Sequence, residues 1–180
     1  LPNRVNSFRR TPDGERLLVT SFSDRQPAQW YLLDEKKRTL EELFSSRPWL
    51  KPDLMVEQRS FLLKTRDGLE IPGYYFLPNN YKKGERLPTV VHIHCGPAAR
   101  ADFDGSGFGF MEAQLLASRG YVVLDVDYRA SAGYGREWRT AIFGHMGGKD
   151  LEDIVDSARY LATAYKVDPR RIGVYGGSYG

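Results

Sequence analysis

The sequence predicts an α/β domain preceded by a small β-rich unit, and two patterns support this prediction. From residue 89 onward, apolar runs typical of buried strands alternate with runs of helical spacing. That order is typical of a parallel sheet with right-handed crossovers. Before residue 53, short apolar runs are separated mainly by turn residues, which is typical of antiparallel strands.

The first unit is predicted to hold three strands, over residues 16–22, 29–33 and 39–44. Short strands joined by tight turns at this spacing are typical of a β-propeller blade or a β-meander. A single unit of this kind cannot cover its own faces and needs neighbours. Residues 45–52 contain two prolines and are predicted to be a linker.

The second unit begins with a predicted hairpin, residues 56–64 and 69–77, in which Gly68 supplies the positive φ of a tight turn. After the hairpin we predict a strand over 89–94, a helix over 108–118, a strand over 121–126, a helix over 150–165 and a buried strand over 171–175. Apolar residues at 3, 4, 7 spacing predict the buried face of the second helix: Leu151, Ile154, Val155, Ala158, Leu161, Ala162 and Tyr165.

Composition excludes several classes of protein. Hydrophobic residues make up 41% of the 180, too many for a disordered chain, and no apolar run approaches the ~18 residues of a membrane span. A single cysteine excludes an internal disulfide framework and an all-cysteine zinc site. The 26 basic and 23 acidic residues are interspersed, so no concentrated basic face for nucleic acid is expected.

The strongest functional motif is Gly176-x-Ser178-x-Gly180, directly after the last predicted strand. Glycines two before and two after the serine let the backbone pass closely in a sharp strand-to-helix turn. In α/β-hydrolases such a turn is the nucleophile elbow, which exposes the serine Oγ at the carboxyl end of the sheet. The motif therefore indicates Ser178 as a candidate nucleophile; the alternative is a glycine-rich surface loop.

A second motif, His-Cys-Gly-Pro over residues 94–97, ends the strand that begins at residue 89. In α/β-hydrolases the loop at this place supplies one backbone N–H to the oxyanion hole, and the residue after the nucleophile supplies another. Two fixed N–H groups aimed at the developing oxyanion lower the reaction barrier. The candidate donors are Gly96 and Tyr179; the alternative is a Gly-Pro turn that ends a strand.

Four segments of the chain can be compared with a known family: residues 88–97, 127–135, 147–153 and 167–180. They resemble the prolyl oligopeptidase family of serine peptidases, in particular its acylaminoacyl-peptidase and dipeptidyl-peptidase-like members. The resemblance implies an α/β-hydrolase fold for residues 53–180, the N-terminal part of a peptidase domain that here ends at the nucleophile elbow. It also implies that residues 1–52 are the last blade of a β-propeller domain. The closing Gly-Gly-Ser-Tyr-Gly is the most specific element of the resemblance.

For the site, the resemblance implies Ser178 as nucleophile, with Gly96 and Tyr179 as oxyanion donors. Some members place a tyrosine hydroxyl at the position of His94, which makes His94 a further candidate for the oxyanion hole.

Two positions depart from the family's pattern. Cys95 stands where many members have glycine, and Ala130 stands where glycine is usual after Arg129. Cys95 borders the oxyanion loop, where a larger residue would alter substrate fit. From its residue type alone, Cys95 is expected to be a small buried side chain.

A serine nucleophile needs a base, and the chain order in α/β-hydrolases is Ser, then Asp or Glu, then His. His92 and His94 are two residues apart on one predicted strand, so they face the same side, and they are predicted to be structural. His145 lies in a glycine-rich loop and is predicted to be exposed. We therefore expect the catalytic Asp and His outside this chain, which would be a piece of a longer protein and inactive alone.

The predicted function is hydrolysis of short peptides by a serine peptidase through an acyl-enzyme, without a metal ion or cofactor. The alternatives are a carboxylesterase, since the same elbow and oxyanion loop serve esters, and a catalytically inactive binding module. A propeller would favour the peptidase because it restricts entry to short peptides. The expected partner is a peptide substrate, with neither nucleic acid nor membrane. The sequence does not determine the oligomeric state. The protein could be located in the cytoplasm, or it could be periplasmic or secreted.

Overall fold

A computed structural model describes residues 1–101, 108–164 and 167–180. The chain divides into two compact units, the first formed by Leu1–Met55 and Phe103–Met111, the second by Val56–Asp102 and Glu112–Gly180. Among the described residues, none of the helices has the length and apolar character that crossing a membrane requires.

The first unit contains a four-stranded antiparallel sheet in which the strands pair in chain order. The three predicted strands are confirmed, and a fourth precedes them. All six residues of that first strand are exposed, so its sequence lacks the alternation of apolar and polar residues from which a half-buried strand is predicted. The strands are β1 (Val5–Arg10), β2 (Arg16–Phe22), β3 (Gln29–Asp34) and β4 (Thr39–Ser45).

The second unit is built on a five-stranded mixed sheet, which confirms the α/β class. Its central strand pairs are parallel, whereas the predicted hairpin adds two antiparallel strands at one edge. The strands are β5 (Gln58–Lys64), β6 (Glu70–Phe76), β7 (Thr89–Ile93), β8 (Val122–Val126) and β9 (Ile172–Gly176), in the spatial order β5-β6-β8-β7-β9.

The described residues form three α-helices, α1 (Phe108–Ser118), α2 (Arg136–Thr140) and α3 (Lys149–Ala164), and one short 3-10 helix, Pro52–Leu54. The two predicted helices are confirmed, while the short α2 was not predicted. The predicted buried face of α3 is partly wrong, because Leu151 is exposed and Asp153 is fully buried. Asp153 can be buried because Arg129 binds its carboxylate. Tyr165 of the predicted face lies outside the described residues.

Side chains of β8 alternate between the two faces of the sheet. Leu124 belongs to a large cluster that includes Val91 and Tyr128, and all three are fully buried. Val123, one residue earlier, belongs to a smaller cluster with Ala113 and Ala117 of α1. The core therefore holds β7 and β8, whose carboxyl ends carry the loops described below.

The last predicted strand forms as β9, but the prediction that it is buried is wrong. Val174 is 68% exposed and Tyr175 is 47% exposed. The strand lies at the edge of the described sheet and pairs with β7 alone. An apolar run predicted the strand correctly, whereas its burial depends on neighbouring elements that a local pattern does not reveal.

Candidate active site

Two loops leave the same end of the sheet because β7 and β9 are parallel neighbours. Ile93, the last residue of β7, pairs with Gly176, the last residue of β9. The first loop continues into residues 94–97, and the second reaches Ser178 two residues later. Ligands of such sheets bind at the carboxyl ends of the strands.

The turn after β9 has the backbone geometry of an elbow. Ser178 is exposed and has φ of 58°, a left-handed conformation that non-glycine residues rarely adopt. The Gly180 N–H donates to the Gly177 carbonyl at 3.1 Å and closes the turn. Such strain is typically retained at functional sites.

Both glycines of the motif are required by close packing of backbone. A Cβ on Gly176 would lie 2.5 Å from the Gly180 carbonyl carbon. A Cβ on Gly180 would lie 2.2 Å from the Ile93 carbonyl oxygen at the end of β7. Gly180, two residues after the serine, therefore lets the turn pass directly against β7, the strand that carries the first loop.

The loop after β7 also depends on a glycine. Gly96 has φ of 133°, and a Cβ there would lie 2.6 Å from the backbone nitrogens of Ala98 and Ala99. Within the described ranges, neither the Gly96 nor the Tyr179 backbone N–H is hydrogen-bonded to a protein acceptor. Two free backbone donors, one on each loop, are what an oxyanion hole requires.

His94 is buried, and both of its ring nitrogens already have partners. Nδ1 lies 2.9 Å from the Cys95 carbonyl and Nε2 lies 2.8 Å from the Ser131 Oγ. Since a carbonyl can only accept, Nδ1 donates, and in the neutral ring Nε2 accepts from the Ser131 hydroxyl. A direct role of His94 in the oxyanion hole stays a prediction, and it would require Nε2 to leave Ser131.

The two departures from the family's pattern have different consequences. The expectation that Cys95 is buried is wrong, since its thiol is exposed where the chain leaves the sheet. Ala130 is fully buried and has φ of 101°, a conformation that favours glycine. The backbone at residue 130 explains why a glycine is usual there.

Tyr179 is held by a residue that sequence reasoning did not single out. Its hydroxyl donates to Asp150 Oδ2 at 2.5 Å, and the Gly147 N–H reaches the same oxygen at 3.2 Å. Burial, together with the hydrogen bond to the Asp150 carboxylate, raises the pKa of Tyr179 to about 12. In the sequence, Asp150 begins a predicted helix and lies in the family-like segment 147–153, but neither feature indicates its contact with Tyr179.

Asp127 ties together the segments that follow β7 and β8. It is fully buried, accepts the Ala101 N–H at 2.6 Å and accepts the Tyr134 hydroxyl. Burial raises the pKa of its carboxyl, and these hydrogen bonds oppose that rise.

In the described part of the chain, no group of three His, Cys, Asp or Glu side chains could hold a metal ion.

His92 and His145 have different surroundings, and the predicted exposure of His145 is confirmed. His92 is half-buried, with Nδ1 3.3 Å from Asp125 Oδ2 and Nε2 3.9 Å from Glu112 Oε2, and it stacks on Tyr175. Burial lowers the pKa of His92, but the hydrogen bond and charge of Asp125, with the charge of Glu112, outweigh it and raise the pKa.

We expect His92→Gln to destabilise the protein more at about pH 5.5 than at about pH 9. Because folding raises the pKa of His92, its charged form contributes stability below the unfolded pKa of ~6.5, and this contribution is lost as the pH rises through the folded value. Thermal unfolding midpoints at both pH values measure the difference. The exposed His145→Gln is the control, and an equal effect of His92→Gln at both pH values would contradict the expectation.

The chain is similar to known peptidases. Residues 107–180 match the model of the prolyl oligopeptidase family. The chain is 31% identical to dipeptidyl aminopeptidase BIII of Pseudoxanthomonas mexicana over 185 aligned residues, which cover 99% of the chain and 26% of that protein.

The chain is also similar to solved structures of peptidases. An acylaminoacyl peptidase in complex with Z-Gly-Gly-Phe-chloromethyl ketone is 30% identical, with a TM-score of 0.74 over 96% of this chain and 27% of that one. A puromycin-hydrolyzing peptidase of Mycobacterium tuberculosis is 28% identical, with a TM-score of 0.78 over 92% of this chain and 26% of that one. The chain therefore spans about a quarter of the length of these relatives.

Proposed function

Because the chain belongs to the prolyl oligopeptidase family, we propose that it contributes the nucleophile of a serine peptidase that hydrolyses short peptides. The observation that carries this proposal is Ser178 at φ of 58°, two residues after β9, beside a loop with a free backbone donor. An exposed hydroxyl held on a strained turn is what an acyl-transfer nucleophile needs.

In the proposed reaction, the Ser178 Oγ attacks the peptide carbonyl carbon while its proton passes to a general base. The carbonyl oxygen becomes an oxyanion and accepts hydrogen bonds from the Gly96 and Tyr179 N–H groups. The C–N bond then breaks, the base returns its proton to the leaving amine, and an acyl-enzyme remains. Water attacks the acyl-enzyme in a second step of the same kind and restores the serine.

The general base is proposed to lie outside residues 1–180. All three histidines of the chain are described, and none is hydrogen-bonded to Ser178. His92 faces Asp125 and Glu112, His94 contacts Ser131, and His145 lies in an exposed turn. The chain order Ser, Asp or Glu, His of α/β-hydrolases supports a triad completed by later residues.

The domain assignment is likewise a proposal. An antiparallel four-stranded meander is the unit of a β-propeller, which supports residues 1–52 as the last blade of such a domain. The mixed sheet of β5 to β9 supports residues 53–180 as the first part of an α/β-hydrolase peptidase domain. A propeller domain would restrict entry to short peptides.

The decisive assay compares aminoacyl-, dipeptidyl- and acylaminoacyl-nitroanilides with nitrophenyl esters, using the full-length protein. We expect turnover of the amide substrates, because the relatives named above are peptidases. Turnover of esters alone would favour a carboxylesterase. No turnover of either class, together with no labelling by a fluorophosphonate, would favour an inactive binding module.

A further inference from the structure

On the basis of the peptidase function proposed above, we propose that Tyr128 is a positioning residue that sets the spacing between the two oxyanion loops. It lies just after β8, on neither of the loops that carry the candidate donors. Its ring and its hydroxyl nevertheless contact both loops.

The contact with the first loop is a hydrogen bond and a ring stack. The Tyr128 hydroxyl donates to the His94 carbonyl at 2.9 Å, two residues before the Gly96 N–H. The His94 and Tyr128 rings stack with centroids 4.4 Å apart and an interplanar angle of 16°. The His94 ring in turn donates from Nδ1 to the Cys95 carbonyl, which belongs to the same peptide unit as the Gly96 N–H.

The contact with the second loop is another ring stack. The Tyr128 and Tyr179 rings are nearly parallel, at an interplanar angle of 17°, with centroids 6.1 Å apart. Tyr179 carries the second candidate donor on its own backbone, and Asp150 holds its hydroxyl. Displacing the Tyr128 ring would therefore move the backbone that presents this N–H.

Tyr128 itself is rigidly placed. It is fully buried, and its carbonyl accepts the Trp138 Nε1–H at 3.1 Å and the Ser131 N–H at 3.0 Å. Burial raises the pKa of its phenol, so the hydroxyl stays a donor throughout the working pH range. A fixed ring between two loops determines how far apart their donors lie.

The spacing matters because an oxyanion hole acts only when both N–H groups point at the same oxygen. Donors are effective at about 2.7–3.1 Å from the oxyanion, and small misplacements of the groups around a reacting atom cost large factors in rate. Tyr128 makes no bond to substrate in this account, and its effect is confined to the transition state.

The test uses Tyr128→Phe and Tyr128→Leu in the full-length protein. Tyr128→Phe keeps both ring stacks and loses only the hydrogen bond to the His94 carbonyl, so we expect kcat to fall about 5- to 10-fold. Tyr128→Leu also loses both stacks, and we expect a fall of about 100-fold, close to the loss of one donor. KM should change little in both. The matched control is Phe61→Leu, a buried aromatic in the same core on β5, at the opposite edge of the sheet.

A second readout separates positioning from loss of folded protein. A peptide aldehyde forms a hemiacetal whose oxyanion occupies the hole, so its inhibition constant should rise by the same factor as kcat/KM falls. A variant that is merely less stable would have fewer active sites, by titration, but an unchanged inhibition constant. An unchanged constant in both Tyr128 variants would overturn the positioning role and leave Ser178 as nucleophile. Absence of Ser178-dependent turnover in the unmodified protein would overturn the proposed function and the positioning role together.

Discussion

Ser178→Ala should lower kcat/KM for a peptide nitroanilide by roughly 10⁴-fold or more, because the covalent path disappears with the hydroxyl. The substitution removes one oxygen from an exposed position. Alanine carries a Cβ like serine, so the φ of 58° costs both residues about the same and the fold should be unchanged. Labelling by a fluorophosphonate should disappear in parallel, since that reagent reports an activated serine.

The matched control is Ser118→Ala at the end of α1. The Ser118 hydroxyl is exposed and donates to the Leu115 carbonyl within its own helix. Turnover of this variant should stay within about twofold of the unmodified protein, as expected for a surface substitution. Near-normal turnover by Ser178→Ala would exclude Ser178 as the nucleophile.

The largest expected effect on stability comes from Arg129, whose side chain is 8% exposed. Its guanidinium donates to both carboxylate oxygens of Asp153, at 2.5 and 2.9 Å, and to Asp67 at 2.6 Å. Lys149 also binds Asp67, at 2.7 Å. This charged cluster of Arg129, Asp153, Asp67 and Lys149 joins the turn between β5 and β6, the segment after β8, and the beginning of α3.

Charges within this cluster depend on one another. Hydrogen bonds from Arg129, Lys149 and Thr65 hold the pKa of the Asp67 carboxyl well below its usual range. Burial raises the pKa of the Asp153 carboxyl, and hydrogen bonds from Arg129 oppose that rise. The Asp153 side chain is completely buried, so without the guanidinium its charge would have no compensating partner in the cluster.

Arg129→Met should therefore lower the free energy of unfolding by about 3–5 kcal/mol, the cost of leaving a buried charge unpaired. Urea unfolding of the full-length protein at neutral pH, followed by tryptophan fluorescence, measures the loss. Adding Asp153→Asn to Arg129→Met removes the orphaned charge but keeps an acceptor for the backbone N–H of residue 129. The double variant should therefore regain a large part of the stability.

Arg66→Met is a suitable control because Arg66 pairs with Asp156 from the same turn but is 42% exposed. Its loss should be much smaller than that of Arg129→Met, since solvent screens the exposed pair. A loss below about 1 kcal/mol for Arg129→Met, or a double variant no more stable than the single one, would contradict the interpretation.

The sequence by itself determined the features that depend on local chemistry. Helical spacing predicted α3, and the turn at Gly68 predicted the β5–β6 hairpin. The glycines at 176 and 180 predicted the elbow, because only a residue without Cβ fits where the turn passes the Ile93 carbonyl. In each case the deciding contacts lie within a few residues, or the residue type itself carries the geometric requirement.

Only the tertiary structure decided which side chains surround the site. Tyr128 meets His94 across 34 residues of sequence, Tyr179 meets Asp150 across 29, and Arg129 meets Asp67 across 62. It also decided that Asp153 is buried while Val174 is exposed, the reverse of what their residue types suggest. These outcomes depend on partners brought together by sheet pairing, and a pattern of period 2 or 3.6 contains no information about which distant residue becomes the neighbour.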